Sequence, residues 1–175
     1  YICDTNSQLK QNIMNFTIGD LINAQLNTEL WSSYFYLGMS MNAEKRGLKG
    51  LAHWLNKESV ERHSRAQTLI SYMVAKGEEV FFYPIENIPY EWDTLSEIIE
   101  RIIEHENKIS ILTDSMVSFG KETKVEKEFM ELLMDFSAKQ KIKEEDTIQF
   151  IDSFRNIAED KNALSIFDEN LISNS

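Results

Sequence analysis

Apolar residues recur at three- and four-residue steps along most of this chain, and the breaks in that period divide it into helical segments. Thr17 and Asp20 have the spacing of a helix capping box, and Ile18, Ile22, Leu26, Leu30, Ser33 and Leu37 then form one stripe that ends before Gly47. This predicts a first helix over about 17–45. A second stripe of Leu51, Leu55, Ala66, Leu69 and Met73 predicts a helix over about 48–76, closed by Gly77 as a left-handed terminator. The following GEEVFFYPIENIPYEWD holds both prolines and no helical period, yet it is long enough to run the length of a bundle, so it reads as a crossover. Leu95, Ile99, Ile102, Ile109, Thr113 and Met116 predict a third helix from near Asp93 to Gly120. Val125, Phe129, Leu132, Phe136, Phe150 and Phe154 predict a fourth from about Thr123 to Asn156, and Leu164, Ile166, Phe167 and Leu171 mark a short fifth over about 159–171.

Two helical hairpins joined by one long crossover define an all-α four-helix bundle with a short C-terminal helix, the first helix beside the second and the third beside the fourth. The expected organisation is an N-terminal extension over 1–16 and a single domain over 17–175, since 175 residues suffice for one core but not comfortably for two. Only two prolines and six glycines leave too few turn signals for a fold of short strands.

Charge and cysteine content narrow the partners. A formal charge of -11 argues against a nucleic-acid surface, since phosphate binding needs clustered Lys and Arg in excess of acids, and favours cations as partners. No apolar run reaches the roughly 18 to 20 residues of a membrane span, and the first residues show no secretory signal pattern. Cys3 is the only cysteine, so neither an intrachain disulfide nor a thiolate metal cluster is available, which suits the cytoplasm.

The candidate chemistry lies where polar residues interrupt the inward stripes, because a buried polar group costs free energy unless it is paired or functional. Glu29 interrupts the first helix, Arg62 and Arg65 the second, Glu106 the third, and Gln140 and Lys143 the fourth. All fall near the middle of helices of similar length, so the bundle is expected to enclose one polar cluster at mid-height.

Around these positions, NTELWSSYFYLGMS, GLAHWLNKES, HENKIS and the closing NALSIFDENL resemble a bacterial-type non-haem ferritin, over residues 12–172. That resemblance implies a di-iron ferroxidase site made from one Glu on the first helix, Glu-x-x-His on the second, one Glu on the third and a Gln on the fourth, often followed three residues later by Glu. Glu29, Glu106 and Gln140 occupy matching positions as candidate metal ligands. With the register of the second helix fixed by Trp54 and Gly77, however, Arg62 and Arg65 stand where the family has Glu and His, and Lys143 stands where it often has the second Glu. Arg offers a metal no lone pair, and two divalent ions beside three cationic side chains would add repulsion on the order of several kcal/mol. The expectation is therefore that Arg62 and Arg65 hold Glu29 and Glu106 as planar ion pairs and that the bundle lacks a working ferroxidase centre of its own.

The resemblance further implies an iron-storage shell of 24 identical subunits, or one mixed with an active subunit, with iron as cargo and no haem. The animal ferritin light chain, which also carries a basic residue in the bundle, is the precedent for mineral storage without that site. In such shells acids on the cavity side of the second helix gather iron, a neighbourhood here containing Glu58 and Glu61. Met130 and Leu133 fall where animal ferritins place two acids in a three-fold channel, so an acidic access route is not expected there. His53, His63 and His105 lack partners at metal-ligand spacing, and Trp31, Tyr34 and Tyr36 read as packing aromatics. Two alternatives compete with storage: an iron(II) oxidase with a site rearranged from Glu29, Glu58, Glu61, His63, Glu106 and Gln140, and an accessory shell subunit that handles no iron.

Overall fold

The computed structural model describes residues 17–157 and 160–173. These form five helices: α1 Ile18–Lys45, α2 Lys49–Lys76, α3 Leu95–Glu122, α4 Lys127–Arg155 and α5 Lys161–Ser173. Helices α1 and α2 pack as one hairpin, α3 and α4 as the other, and α5 packs on α2. The expected extension over 1–16, Cys3 with it, lies outside the described residues, and so does Glu159.

Local chemistry explains most of the helix limits. Thr17 Oγ1 accepts the Asp20 N–H at 3.1 Å while Asp20 Oδ2 accepts the Thr17 N–H at 2.8 Å, a complete capping box at the start of α1. Gly77 closes α2 at φ 72°, where a side chain would be strained. Three limits differ from the sequence expectation. Helix α3 starts at Leu95 rather than near Asp93, because extended Thr94 is its N-cap and accepts the Glu97 N–H at 3.1 Å. It also runs through Gly120 to Glu122. Gly120 is a packing position rather than a terminator: a Cβ there would stand 2.9 Å from Leu133 Cδ1. Helix α4 begins at Lys127 rather than Thr123, since Thr123 caps the end of α3 and Lys124 turns the chain at φ 52°. Val125 packs from that turn.

The stripes hold except at two positions. Leu37 is 40% exposed, and the inward residues at that level are Tyr36, Met39 and Ala43. The spacing from Ile18 to Leu37 is mostly four residues, each step of which overshoots a helical turn by about 40°, so the series drifts off the buried face. Ile166 is likewise on the outer side of α5, at 62% exposed.

Two apolar clusters fill the bundle, one at each end. One gathers Phe35, Tyr36, Met39, Leu55, Trp92, Ile98, Ile102, Ile151 and Phe154, and Trp54 stacks on Phe150 beside it at 4.1 Å. The other gathers Ile22, Leu26, Leu69, Met73, Met116, Phe129 and Phe136. The polar residues singled out from the sequence lie between them.

The crossover, residues 78–94, is fastened to α1 by a ladder of side chains. Asn23 Nδ2 donates to Glu79 O at 2.9 Å and Asn23 Oδ1 accepts the Phe81 N–H at 2.7 Å. One helical turn on, Asn27 Nδ2 donates to Phe81 O and Asn27 Oδ1 accepts the Tyr83 N–H, both at 2.8 Å. Trp31 Nε1 then donates to Glu86 O at 3.0 Å. Four residues of helix rise about 6 Å and two residues of extended chain advance about 6.6 Å, so asparagines four apart meet alternate residues of the crossover.

Candidate functional site

Each long helix contributes at least one side chain to the mid-height layer, and Arg62 is its centre. Its guanidinium is 1% exposed and sits between the two glutamates. Nη2 donates to both Glu106 oxygens at 2.5 Å, whereas Nη1 donates to Glu29 Oε2 at 3.3 Å and to Gln140 Oε1 at 3.0 Å. Gln140 completes the ring, since its Nε2 donates to Glu106 Oε2 at 2.8 Å and its Oε1 also accepts from Arg65 Nη1 at 2.9 Å. Glu29 Oε1 takes the Gln25 amide at 2.7 Å and lies 3.5 Å from Arg65 Nη2. Tyr36 Oη donates to Glu106 Oε1.

Glu29, Glu106, Gln140, Arg62 and Arg65 are therefore brought together, but not as two separate forks. One arginine bridges both carboxylates through a nitrogen each, and Arg65 supports from the side, stacked over the Phe136 ring at 5.3 Å. Two carboxylates and two guanidiniums make the cluster neutral, which is what a low-dielectric layer between apolar clusters requires.

Lys143 does not join it. Its Nζ turns to Glu58 Oε1 at 2.5 Å and to Glu61 Oε2 at 3.6 Å. Glu58 is consequently not an acid on an open face. It is buried and held by Lys143, while Glu61 is half-exposed. His63 is exposed and contacts Gln67, so the structure does not bring it to Glu29 and Glu106. Among the described residues no three His, Cys, Asp or Glu side chains converge in a metal-holding group. Leu133 is buried in the second apolar cluster.

The electrostatics follow from this packing. Burial alone would raise the Glu106 carboxyl, but the Arg62 guanidinium, helped by hydrogen bonds from Tyr36 and Gln140, outweighs it and holds the group at about 2. Burial disfavours charge on Arg62, yet Glu106 and Glu29 more than offset it and the net shift is upward. Arg65 is shifted down by burial against the opposing pull of Glu29 and remains protonated. Burial, then Glu106, pushes Tyr36 well above its ordinary value, so its phenol keeps the proton that it donates to Glu106. Burial also raises Glu58, against the opposing effect of Lys143.

His105 has no partner at metal-ligand spacing in the sequence, and its contacts come instead from residues of α1 more than 65 positions away. It is buried among Trp31, Phe35 and Tyr36, with its ring 4.7 Å from that of Phe35 and Nε2 2.9 Å from Ser32 Oγ. Burial and the nearby Arg62 lower it to about 4, so it is neutral. Gln25 and Tyr36, both bonded to the cluster, sit four residues before and seven after Glu29. That helical spacing was the available signal for them.

A four-helix bundle with a long crossover and a polar mid-height layer defines the ferritin-like class. The model of the ferritin-like domain matches residues 19–157, and the chain belongs to that family. It is similar to the bacterial non-heme ferritin of Bacteroides fragilis, 35% identical over 130 residues that cover 74% of this chain and 80% of the relative. It also resembles a probable bacterial non-heme ferritin-like protein of Haemophilus influenzae, at 28% identity over 86% of this chain and 91% of that one. Among solved structures, an open-pore ferritin from the hyperthermophilic archaeon Archaeoglobus fulgidus superposes with a TM-score of 0.81 at 28% identity, over 87% of this chain and 92% of the other. No described helix is long and apolar enough to cross a membrane.

Proposed function

We propose that this chain is a cytoplasmic iron-storage shell subunit whose bundle holds an internal ion-pair cluster in place of a ferroxidase centre. The observation that carries this reading is Arg62, buried and bonded to Glu29, Glu106 and Gln140 at once. A pair of iron ions needs carboxylate or imidazole donors, and the residues facing one another here are two carboxylates, one amide and two guanidiniums. The guanidiniums offer no lone pair and already neutralise both acids, so the donor set does not fit a di-iron centre. Iron is then cargo, oxidised at a growing mineral surface, by oxygen in solution or by a partner subunit of the same fold. The shell is proposed to contain 24 subunits, as the family resemblance implies, and to mix with such a partner where one is present.

The test is initial iron(II) oxidation at low loading, with anaerobic binding titration alongside. The expected rate is close to that of iron without protein, with no tight pair of ions per subunit. A fast phase saturating at about two irons per subunit would overturn the reading, because adjacent bound metals are what speed reduction of oxygen. Protein purified from iron-replete cells without a mineral core would instead favour the accessory-subunit alternative.

A further inference from the structure

The first turn of α2 has no side-chain cap of its own. Leu48 occupies the N-cap position, and no acid lies in the first turn. A capping Ser, Asp or Asn would accept the N–H groups of the second and third helical residues, here Gly50 and Leu51. Those two groups donate instead to α5, Gly50 N to Asp168 Oδ2 at 3.0 Å and Leu51 N to Asp168 Oδ1 at 2.8 Å. Each oxygen of the one carboxylate therefore takes one donor. The contact is built for close approach: a Cβ on Gly50 would stand 1.9 Å from the Asp168 carbonyl oxygen. Beside it, Phe167 lies 5.9 Å from the rings of both Phe150 and Phe154. Those apolar contacts hold α5 against the bundle but are not directional. The two carboxylate bonds fix its rotation and its position along the α2 axis, leaving Ile166 and Ile172 facing outward.

We infer that α5 is a latch, with Asp168 serving as the N-cap of α2 supplied from the far end of the chain. Docking of α5 and folding of the first turn of α2 form one cooperative unit, and the outward apolar face of α5 is presented in its fixed orientation only while that latch is closed.

Hydrogen exchange read by mass spectrometry on the full-length protein tests this. Asp168→Ala is expected to speed exchange by about fivefold or more in peptides covering both 49–55 and 161–173, the loss typical of a missing cap, with α3 peptides unchanged. Adding Leu48→Asp supplies a local cap and is expected to restore protection to 49–55 but not to 161–173, which separates capping from general loosening. Faster exchange confined to α5, or in neither segment, would overturn the latch. If Asp168→Ala does not fold, Asp168→Asn keeps one acceptor oxygen and is expected to give smaller, matched losses in both peptides. Unequal losses, or none, would overturn the proposal equally.

Discussion

At the residue scale, Arg62 makes two buried glutamates tolerable, and its removal has a defined cost. A buried ion pair is weak evidence for stability as a whole, but deleting one partner leaves an uncompensated charge that cannot reach water. Arg62→Met is therefore expected to destabilise the fold by about 3 to 5 kcal/mol, measured as a shift in urea unfolding. Changing Glu29 and Glu106 to Gln in the same background is expected to recover part of that loss, because the stranded charges disappear. Equal loss in the single and triple variants would mean that shape rather than charge sets the cost. Burial of these positions was legible in the sequence, since each interrupts an inward stripe. The pairing was not, because a linear reading assigns one acid to each arginine and cannot see that Arg62 reaches both, or that Lys143 prefers Glu58.

The same residues set the acid response. Unfolded His and Glu side chains bind protons near their ordinary values of 6.5 and 4.5, whereas in the folded protein His105 lies at about 4 and Glu106 at about 2. Both folded values are depressed, so the unfolded chain takes up each proton first and stability is lost as the pH falls. His105 contributes between about pH 6.5 and 4, and Glu106 between about pH 4.5 and 2, each on the order of 3 kcal/mol. Glu58, shifted upward, opposes this by gaining relative stability as it protonates. Unfolding midpoints are expected to fall in two stages, and His105→Gln to remove the upper stage alone. Constant stability from pH 7 to pH 4 would contradict the assignment.

At the element scale, the helices were readable because their signals are local: a capping box at Thr17, a left-handed glycine at Gly77, and periodic apolar stripes. Local signals are ambiguous where one residue type serves two purposes. Gly120 looked like a stop signal and is instead the small residue that lets α3 approach Leu133. The crossover was recognisable from its prolines, but its attachment was not, since Asn27 and the residues it binds stand 54 and 56 positions apart. Asn27→Ala removes both bonds at once and leaves the Phe81 carbonyl and Tyr83 N–H to find water. The expected cost is about 1 to 2 kcal/mol, with faster hydrogen exchange across 79–86 and little change within α3 and α4. Unchanged exchange there would show that apolar contacts alone retain the crossover.

At the scale of the whole molecule, the cluster between the two apolar halves of the bundle is neutral from its own side chains, so folding is expected to be independent of metal. A ligand that binds only the folded state stabilises it by mass action, whereas one without a site leaves the unfolding curve where it was. Neither chelator nor zinc is expected to move the melting temperature of this protein. Arg62→Glu with Arg65→His is expected to reverse that behaviour, because it places a carboxylate and an imidazole among Glu29, Glu106 and Gln140. Lys143 stays in this design, since its ammonium holds buried Glu58 and a carboxylate there would repel Glu58 and Glu61. Without metal the variant has three acids, one imidazole and neither of the two cluster arginines to neutralise them, and is expected to melt well below the parent. With zinc at a hundredfold excess over its dissociation constant it is expected to regain about 2.7 kcal/mol. A variant indifferent to zinc would show that the surrounding helices cannot close on a metal. If zinc stabilises the unsubstituted protein instead, Arg62 must be displaceable, and the reading of the cluster as a permanent replacement for metal would fall.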